Sequence, residues 1–199
     1  MKKIMFNDEL SLNQSVLDGS KRHTRRIINI SEIDREYLDS SFDWDLRESV
    51  IIERYSKYKV GEVIAIAQRY KDVLDFIPEG FRRKYELEFL TSGNVSKGWN
   101  NKMFVKADLM PYQIKITNIK IEKLQDISDE DCLKEGVVKG RVGNAHTDHW
   151  MDAYYTHKSS IEPCCTPREA FALPIDKVIG KRTWESNPYV FVYEFELVK

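Results

Sequence analysis

The residues best equipped for chemistry lie in one stretch, Asp18-Gly19-Ser20-Lys21-Arg22-His23-Thr24-Arg25-Arg26-Ile27-Ile28. It gathers cations, a hydroxyl and a titratable imidazole at a joint between a helical pattern and a strand pattern. The helical pattern runs into Gly19, and glycine takes the left-handed conformation that ends helices without a Cβ clash. The strand pattern leaves through Thr24 toward Ile30. Alternate strand residues share a face. Thr24, Arg26 and Ile28 therefore point one way, and His23, Arg25 and Ile27 the other. Lys21, at the turn, reaches over the face of Thr24 and Arg26. One hydroxyl beside two cations suits an anion or a carbonyl-bearing base. The competing reading is a solvated edge strand whose charges block pairing between sheets. His23 alone is more often a surface or satisfied residue than a catalyst, although its titration range suits proton transfer.

The rest of the chain must position this stretch. Its 199 residues, 42% of them hydrophobic, suit one domain over residues 1–199. Lys3 to Phe6 reads as a first strand, and Ser11 as the cap of a helix over Leu12 to Asp18. Ser31 opens a polar helix; Ser40 to Arg47 reads as loop anchored by Phe42 and Trp44. Glu48 to Tyr58 is ambiguous: Val50-Ile51-Ile52 favours strand, but one able to pair only locally. Val63 to Ala67 is a buried strand. Tyr112 to Glu122 is the clearest strand, and its apolar phase slips at Asn118, as at a bulge. Ser128 caps a helix that stops at Gly136. Thr166-Pro167-Arg168-Glu169 is a helix start with a hydroxyl cap, an early proline and a returning glutamate. Tyr189 to Val198 closes the chain as a strand.

Two excursions interrupt this order, at about 70–109 and 138–165. The first is expected to hold a polar helix around Phe81 to Leu90, then loop, and the second is expected to be a long loop. Trp99 is either a packing lid or a stacking platform for a base. Short strands separated by single helices, without repeated βαβ units, predict an α+β mixed β-barrel with flanking helices and two loop/helix insertions.

Composition narrows the partners. Lysine and arginine number 31 against 32 acidic residues, for a net charge of −1, so a nucleic-acid surface must be a local patch. No apolar run has the length of a membrane span. The N-terminus turns polar at Asn7-Asp8-Glu9 and lacks the features of a signal peptide. The expectation is a cytoplasmic protein without a membrane partner. Three cysteines, Cys132, Cys164 and Cys165, give no disulfide framework. Cys164 and Cys165 lie near His146, His149 and His157, but match no zinc spacing. No metal and no cofactor is expected.

Read together, Gly19-x-Lys21-x-x-Thr24-x-Arg26 resembles the signature of ASCH domains. Phe6 through Gly19 is similar to that family's opening strand and helix, and Lys59-Val60-Gly61-Glu62 resembles its "K-x-G-D" turn. Ile116 to Gly136 resembles its strand and following helix entry. Thr183 to Val192 resembles the closing strand of phage and prophage members. The resemblance covers the ends and middle of the chain, not Asp72 to Leu90 or Gly140 to Cys165. It implies a PUA-like barrel with a cleft beside the signature, and RNA or modified-nucleoside chemistry. A small bacterial branch hydrolyses acetylcytidine with the lysine and threonine of the signature and a glutamate on a later strand. Lys21 and Thr24 match; the glutamate position falls on Lys115, an ammonium.

Three functions are weighed. The first is binding of RNA or a modified nucleoside, with Lys21, Arg25, Arg26 and Lys115 on phosphates or base edges and Trp99 or Tyr112 stacking. The second is an amidohydrolase on an acylated nucleobase, with Thr24 as nucleophile, Lys21 as base, and Glu62 or Glu122 as orienting carboxylate. Ribonuclease activity, reported for some family members, maps to no particular residue here. The third is a phage-related interaction factor whose partner is a phage or host protein.

Overall fold

The computed structural model describes residues 1–29, 31–40, 43–83, 97–144, 146, 148–158 and 160–198, with the side chains of 32 and 33 excepted. Among the described residues seven strands form: β1 (Lys3–Ile4), β2 (His23–Ile27), β3 (Val63–Ile66), β4 (Gln113–Lys123), β5 (Val138–Asn144), β6 (His149–Tyr155) and β7 (Tyr189–Leu197). Five make one mixed sheet in the order β1-β3-β4-β7-β2, with β1 parallel to β3 and the remaining pairs antiparallel. The α+β class holds. Closure into a barrel does not occur among the described residues, where β1 and β2 stand as the two edges of the ladder. A side chain crosses between these edges instead: Arg26 Nη2 donates to the Met5 carbonyl at 2.6 Å.

The central strands explain themselves. β7 is covered on both faces, with Phe191, Tyr193 and Phe195 on one and Val190 and Val192 on the other. β4 carries Ile114 and Ile116, then Ile119 and Ile121, all into the same core. Even and odd positions share a face only because the register with β7 shifts between Ile116 and Asn118. One extra residue on β4 restores the phase. Lys115 and Thr117 remain exposed. Ser128 accepts from the Asp131 amide as the cap of helix Asp129–Lys134, and Gly136 (φ +107°) ends it.

Several local expectations differ from what forms. Trp44–Tyr55 is a helix, capped by Asp43, whose side chain accepts from the Asp45 and Leu46 amides. The β-branched run Val50-Ile51-Ile52 suggested strand because it ignores period; only Ile51 of the three is fully buried, one helical turn after the buried Arg47. Ser11 adopts φ +52° and makes no side-chain cap bond. The second insertion is no loop: β5 and β6 pair antiparallel from Val138↔Tyr155 to Asn144↔His149. Most of this hairpin is exposed, so no apolar alternation advertises it. In the first insertion, Trp99 lies on the short helix Lys97–Asn100 and packs partly buried beside Tyr70, Val73 and Met110. Most of the polar helix expected over Phe81 to Leu90, and the Phe42 anchor, lie outside the described residues.

Ile51 is 0% exposed and pins the Trp44–Tyr55 helix to the sheet. Ile51→Ala is expected to cost about 2–5 kcal/mol, the range for an emptied aliphatic core site. A urea midpoint shifted by less than a surface substitution would shift it contradicts that packing.

Candidate functional site

A cavity of about 130 Å³ lies along the outer side of β2. Its walls come from both edges of the sheet, from the segment Met5-Phe6-Asn7 and from β2, and from the C-terminal helices through Ala170, Phe171 and Ile175. Lys21, Thr24, Arg25, Arg26 and Glu135, with Asn7 and Thr156, supply its polar groups on an otherwise largely apolar lining. Thr166 and Glu169 make a reciprocal capping box at the start of helix Pro167–Ala172, which delivers Ala170 and Phe171 to that wall. Thr166→Ala is expected to cost about 1 kcal/mol of stability, as loss of a hydroxyl cap does, read from a denaturant titration with unchanged slope.

Lys21 is placed by the backbone around it. Its amide donates to the Ser15 carbonyl at 2.8 Å, and the next amide, of Arg22, donates to the Lys134 carbonyl at 2.8 Å. The side chain is 2% exposed. Lys21 Nζ donates to Glu135 Oε2 at 2.5 Å and to the Glu135 carbonyl at 2.6 Å. Burial pulls the Lys21 ammonium below its ordinary range, with Arg26 and Arg25 adding repulsion, although Glu135 opposes the shift. The Glu135 carboxyl is held below its ordinary range despite its burial, because Lys21 and Arg25 face it.

Arg25 completes this group from β2. Its guanidinium donates to Glu122 Oε1 at 2.8 and 2.6 Å, to Glu135 Oε1 at 2.9 Å and to Asp131 Oδ2 at 3.4 Å. Lys120 joins the same carboxylates, 3.1 Å from Glu122 and 3.3 Å from Asp131. His23 is buried near this network, with Nδ1 3.6 Å from Asp131 Oδ1 and without a hydrogen bond among the described residues. Burial holds its imidazole below the ordinary range. It is neither a surface residue nor a fully satisfied one.

Thr24 is 4% exposed and lines the same cavity as Lys21. Its hydroxyl makes no hydrogen bond to any described residue. The structure thus brings Lys21, Thr24, Arg25 and Arg26 to one wall. It does not bring Lys115, Tyr112 or Trp99 there. Lys115 is exposed on β4, opposite Val63 on one side and Glu196 on the other. Tyr112 packs against the core and against Phe76, ring centroids 5.8 Å apart. Of the two carboxylates considered for orienting the lysine, Glu62 binds Lys2 and the Lys59 amide, and Glu122 binds Arg25 and Lys120.

The carboxylate in contact with Lys21 is Glu135, which sequence reasoning treated only as the end of a helix. A signal for it exists. An acidic residue at a helix C-terminus opposes the macrodipole, and a broken local rule often marks a site with another purpose. Gly136, with its positive φ, lets the chain turn there with its would-be Cβ 3.7 Å from the Lys21 side chain. Among the described residues no group of three or more His, Cys, Asp or Glu is placed to hold a metal ion, and no helix is long and apolar enough to cross a membrane. Comparison of the chain with family models, with curated proteins and with solved structures gives no match.

Proposed function

We propose that the cleft binds a modified nucleobase and hydrolyses an acyl amide on it, with Thr24 as nucleophile, Lys21 as general base and Glu135 as the group that positions Lys21. The observation that supports this reading is the buried Lys21–Glu135 pair lining the same cavity as a threonine hydroxyl that no described residue hydrogen-bonds. A neutral lysine carries two N–H bonds. Glu135 accepts one through its carboxylate and one through its carbonyl, which leaves the nitrogen lone pair for a proton. The Thr24 oxygen then attacks the acyl carbon while its proton passes to Lys21 Nζ. Collapse breaks the C–N bond, and the leaving amine takes that proton. Water hydrolyses the acyl-threonine ester with Lys21 again as base, releasing the acid and the free hydroxyl.

The resemblance to ASCH domains, and with it a PUA-like arrangement, supports the same assignment. The carboxylate role goes to Glu135 rather than to a residue at position 115. The test is incubation with N4-acetylcytidine followed by chromatography. Release of cytidine and acetate is the expected result, and a folded protein that leaves the nucleoside intact overturns the reading.

Binding of RNA is a second reading, carried by the exposed arginines Arg22 and Arg26 beside β2. Lys21 and Arg25 do not add to it, because carboxylates already neutralise them. The expected signature is therefore a shallow salt dependence, with only one or two counterions released. Anisotropy titrations of a short single-stranded RNA at two salt concentrations measure it. A slope unchanged in Arg22→Ala/Arg26→Ala removes this reading.

A further inference from the structure

No described strand pairs with the outer edge of β2, and its register says which peptide groups that leaves open. The Phe195 amide donates to the Arg22 carbonyl at 2.9 Å, and the Ile28 amide donates to the Tyr189 carbonyl at 3.0 Å. The register with β7 runs without a shift between them. In an antiparallel pair the residues that exchange both hydrogen bonds alternate with residues that exchange none. Thr24 and Arg26 therefore turn their peptide groups to β7, as do the Arg22 carbonyl and the Ile28 amide at the two ends. His23, Arg25 and Ile27 turn theirs the other way, where no described strand pairs. Arg25 and Ile27 line the cavity, and Arg25 is 8% exposed. No described residue hydrogen-bonds the Arg25 N–H or its carbonyl.

Buried backbone groups are almost always paired, with protein, water or a ligand. A residue in a strand presents its N–H and C=O to the same side, so Arg25 offers one donor and one acceptor side by side. An apolar cavity of roughly 150 Å³ takes a benzene-sized ring, and this one is about 130 Å³. We infer that the Arg25 peptide N–H and C=O form the reading edge of the cleft, pairing with a neutral six-membered heterocycle that carries an N–H donor next to an acceptor. An N4-acylated cytosine has such an edge, in its N4–H and N3. The inference rests on the cleft being the ligand site proposed above, and it names the chemistry that selects the ring.

The edge explains specificity by an asymmetry. A ligand that lacks the donor leaves the Arg25 carbonyl buried without a partner, and sites built on hydrogen bonds reject such analogues strongly. It also keeps recognition independent of side-chain charge, in agreement with an Arg25 guanidinium fully engaged by Glu122 and Glu135.

The test titrates ¹⁵N-labelled Thr24→Ala protein, which cannot turn over substrate by the proposed route, with N4-acetylcytidine and with its N4-methyl analogue. The expected result is a downfield move of the Arg25 amide proton that saturates with the nucleoside, and at least tenfold weaker binding of the methylated analogue. Saturable shifts at Val137 or Ala170 with the Arg25 amide unmoved overturn the inference, as does equal binding of the two compounds. So does the absence of saturable shifts with either. A moving Arg25 amide in a protein whose parent form hydrolyses nothing keeps the reading edge and discards the hydrolase, so the two failures are distinguishable.

Discussion

Glu135→Leu is expected to destabilise the fold by about 3–5 kcal/mol, the scale on which removal of one partner strands a buried charge. Glu135 is the shared acceptor of two buried cations: Lys21 Nζ lies 2.5 Å from one carboxylate oxygen and Arg25 Nη1 2.9 Å from the other. Arg25 keeps Glu122 when Glu135 is removed. Lys21 keeps only the Glu135 backbone carbonyl among the bonds its ammonium makes. Lys21→Met is expected to cost less, because it removes the charge that needs compensation and leaves Glu135 paired with Arg25. In the double variant the cost of Glu135→Leu shrinks, and the difference is the coupling of the pair. Urea unfolding with an unchanged slope measures each. A Glu135→Leu protein within about 0.5 kcal/mol of the parent, as for surface substitutions, would show that the pair is not desolvated.

The same pair sets a pH dependence whose sign is fixed. The Glu135 carboxyl is held below its ordinary 4.5 in the folded chain, and returns to it on unfolding. Its contribution is thus fully present above that value and is lost as pH falls toward the depressed folded one. The stability gap between the parent and Glu135→Gln is expected to narrow as pH falls below about 4.5, where the unfolded chain takes up the proton first, and to close below the depressed folded value, where the folded parent also carries a neutral acid. Lys21 acts in the opposite arm. Burial lowers it from 10.5, so the folded chain releases its proton earlier than the unfolded one. The cost of keeping Lys21 charged is present at low pH and disappears as pH rises through the alkaline range.

What could be read from the sequence divides along burial. β4 was legible because a strand covered on one face repeats apolar residues at a period of two, which also showed the slip at Asn118, and β7 because a strand covered on both faces runs almost continuously apolar. The helix caps at Ser128 and Thr166 were legible because they are local chemistry. The Trp44–Tyr55 helix was not, since three β-branched residues in a row carry strand propensity whatever their phase. The hairpin β5–β6 was not, since an exposed ribbon needs no apolar face. In the site, Lys21, Thr24, Arg25 and Arg26 were found together because they are neighbours in sequence. Glu135 lies 114 residues from Lys21, and only the packing of helix Asp129–Lys134 against the joint at Gly19 to Arg22 joins them. Lys115 was placed at the site by alignment of motifs, and the register of β4 instead puts it in solvent.

The hydrolase reading makes its sharpest demand on Lys21→Arg. Thr24→Ala is expected to lower kcat for N4-acetylcytidine by about 10⁴-fold or more, as loss of a nucleophile does. Lys21→Met is expected to lower it by about 10²–10⁴-fold, the usual contribution of a general base. Neither result alone separates a base from a structural cation, because Lys21 also neutralises Glu135. An arginine at position 21 keeps the charge and can still donate to Glu135, but a guanidinium does not give up its proton in proteins. Lys21→Arg is therefore expected to fold nearly as stably as the parent and to be as inactive as Lys21→Met. The pH profile of the parent adds an independent constraint. The base must be neutral to work, so kcat/KM rises with pH and levels off above the Lys21 pKa, which burial has moved down from 10.5. Substantial activity in Lys21→Arg, or a rate that falls across that range while the protein stays folded, would leave Lys21 a structural partner of Glu135 and transfer the search for a base to another group on the cavity wall.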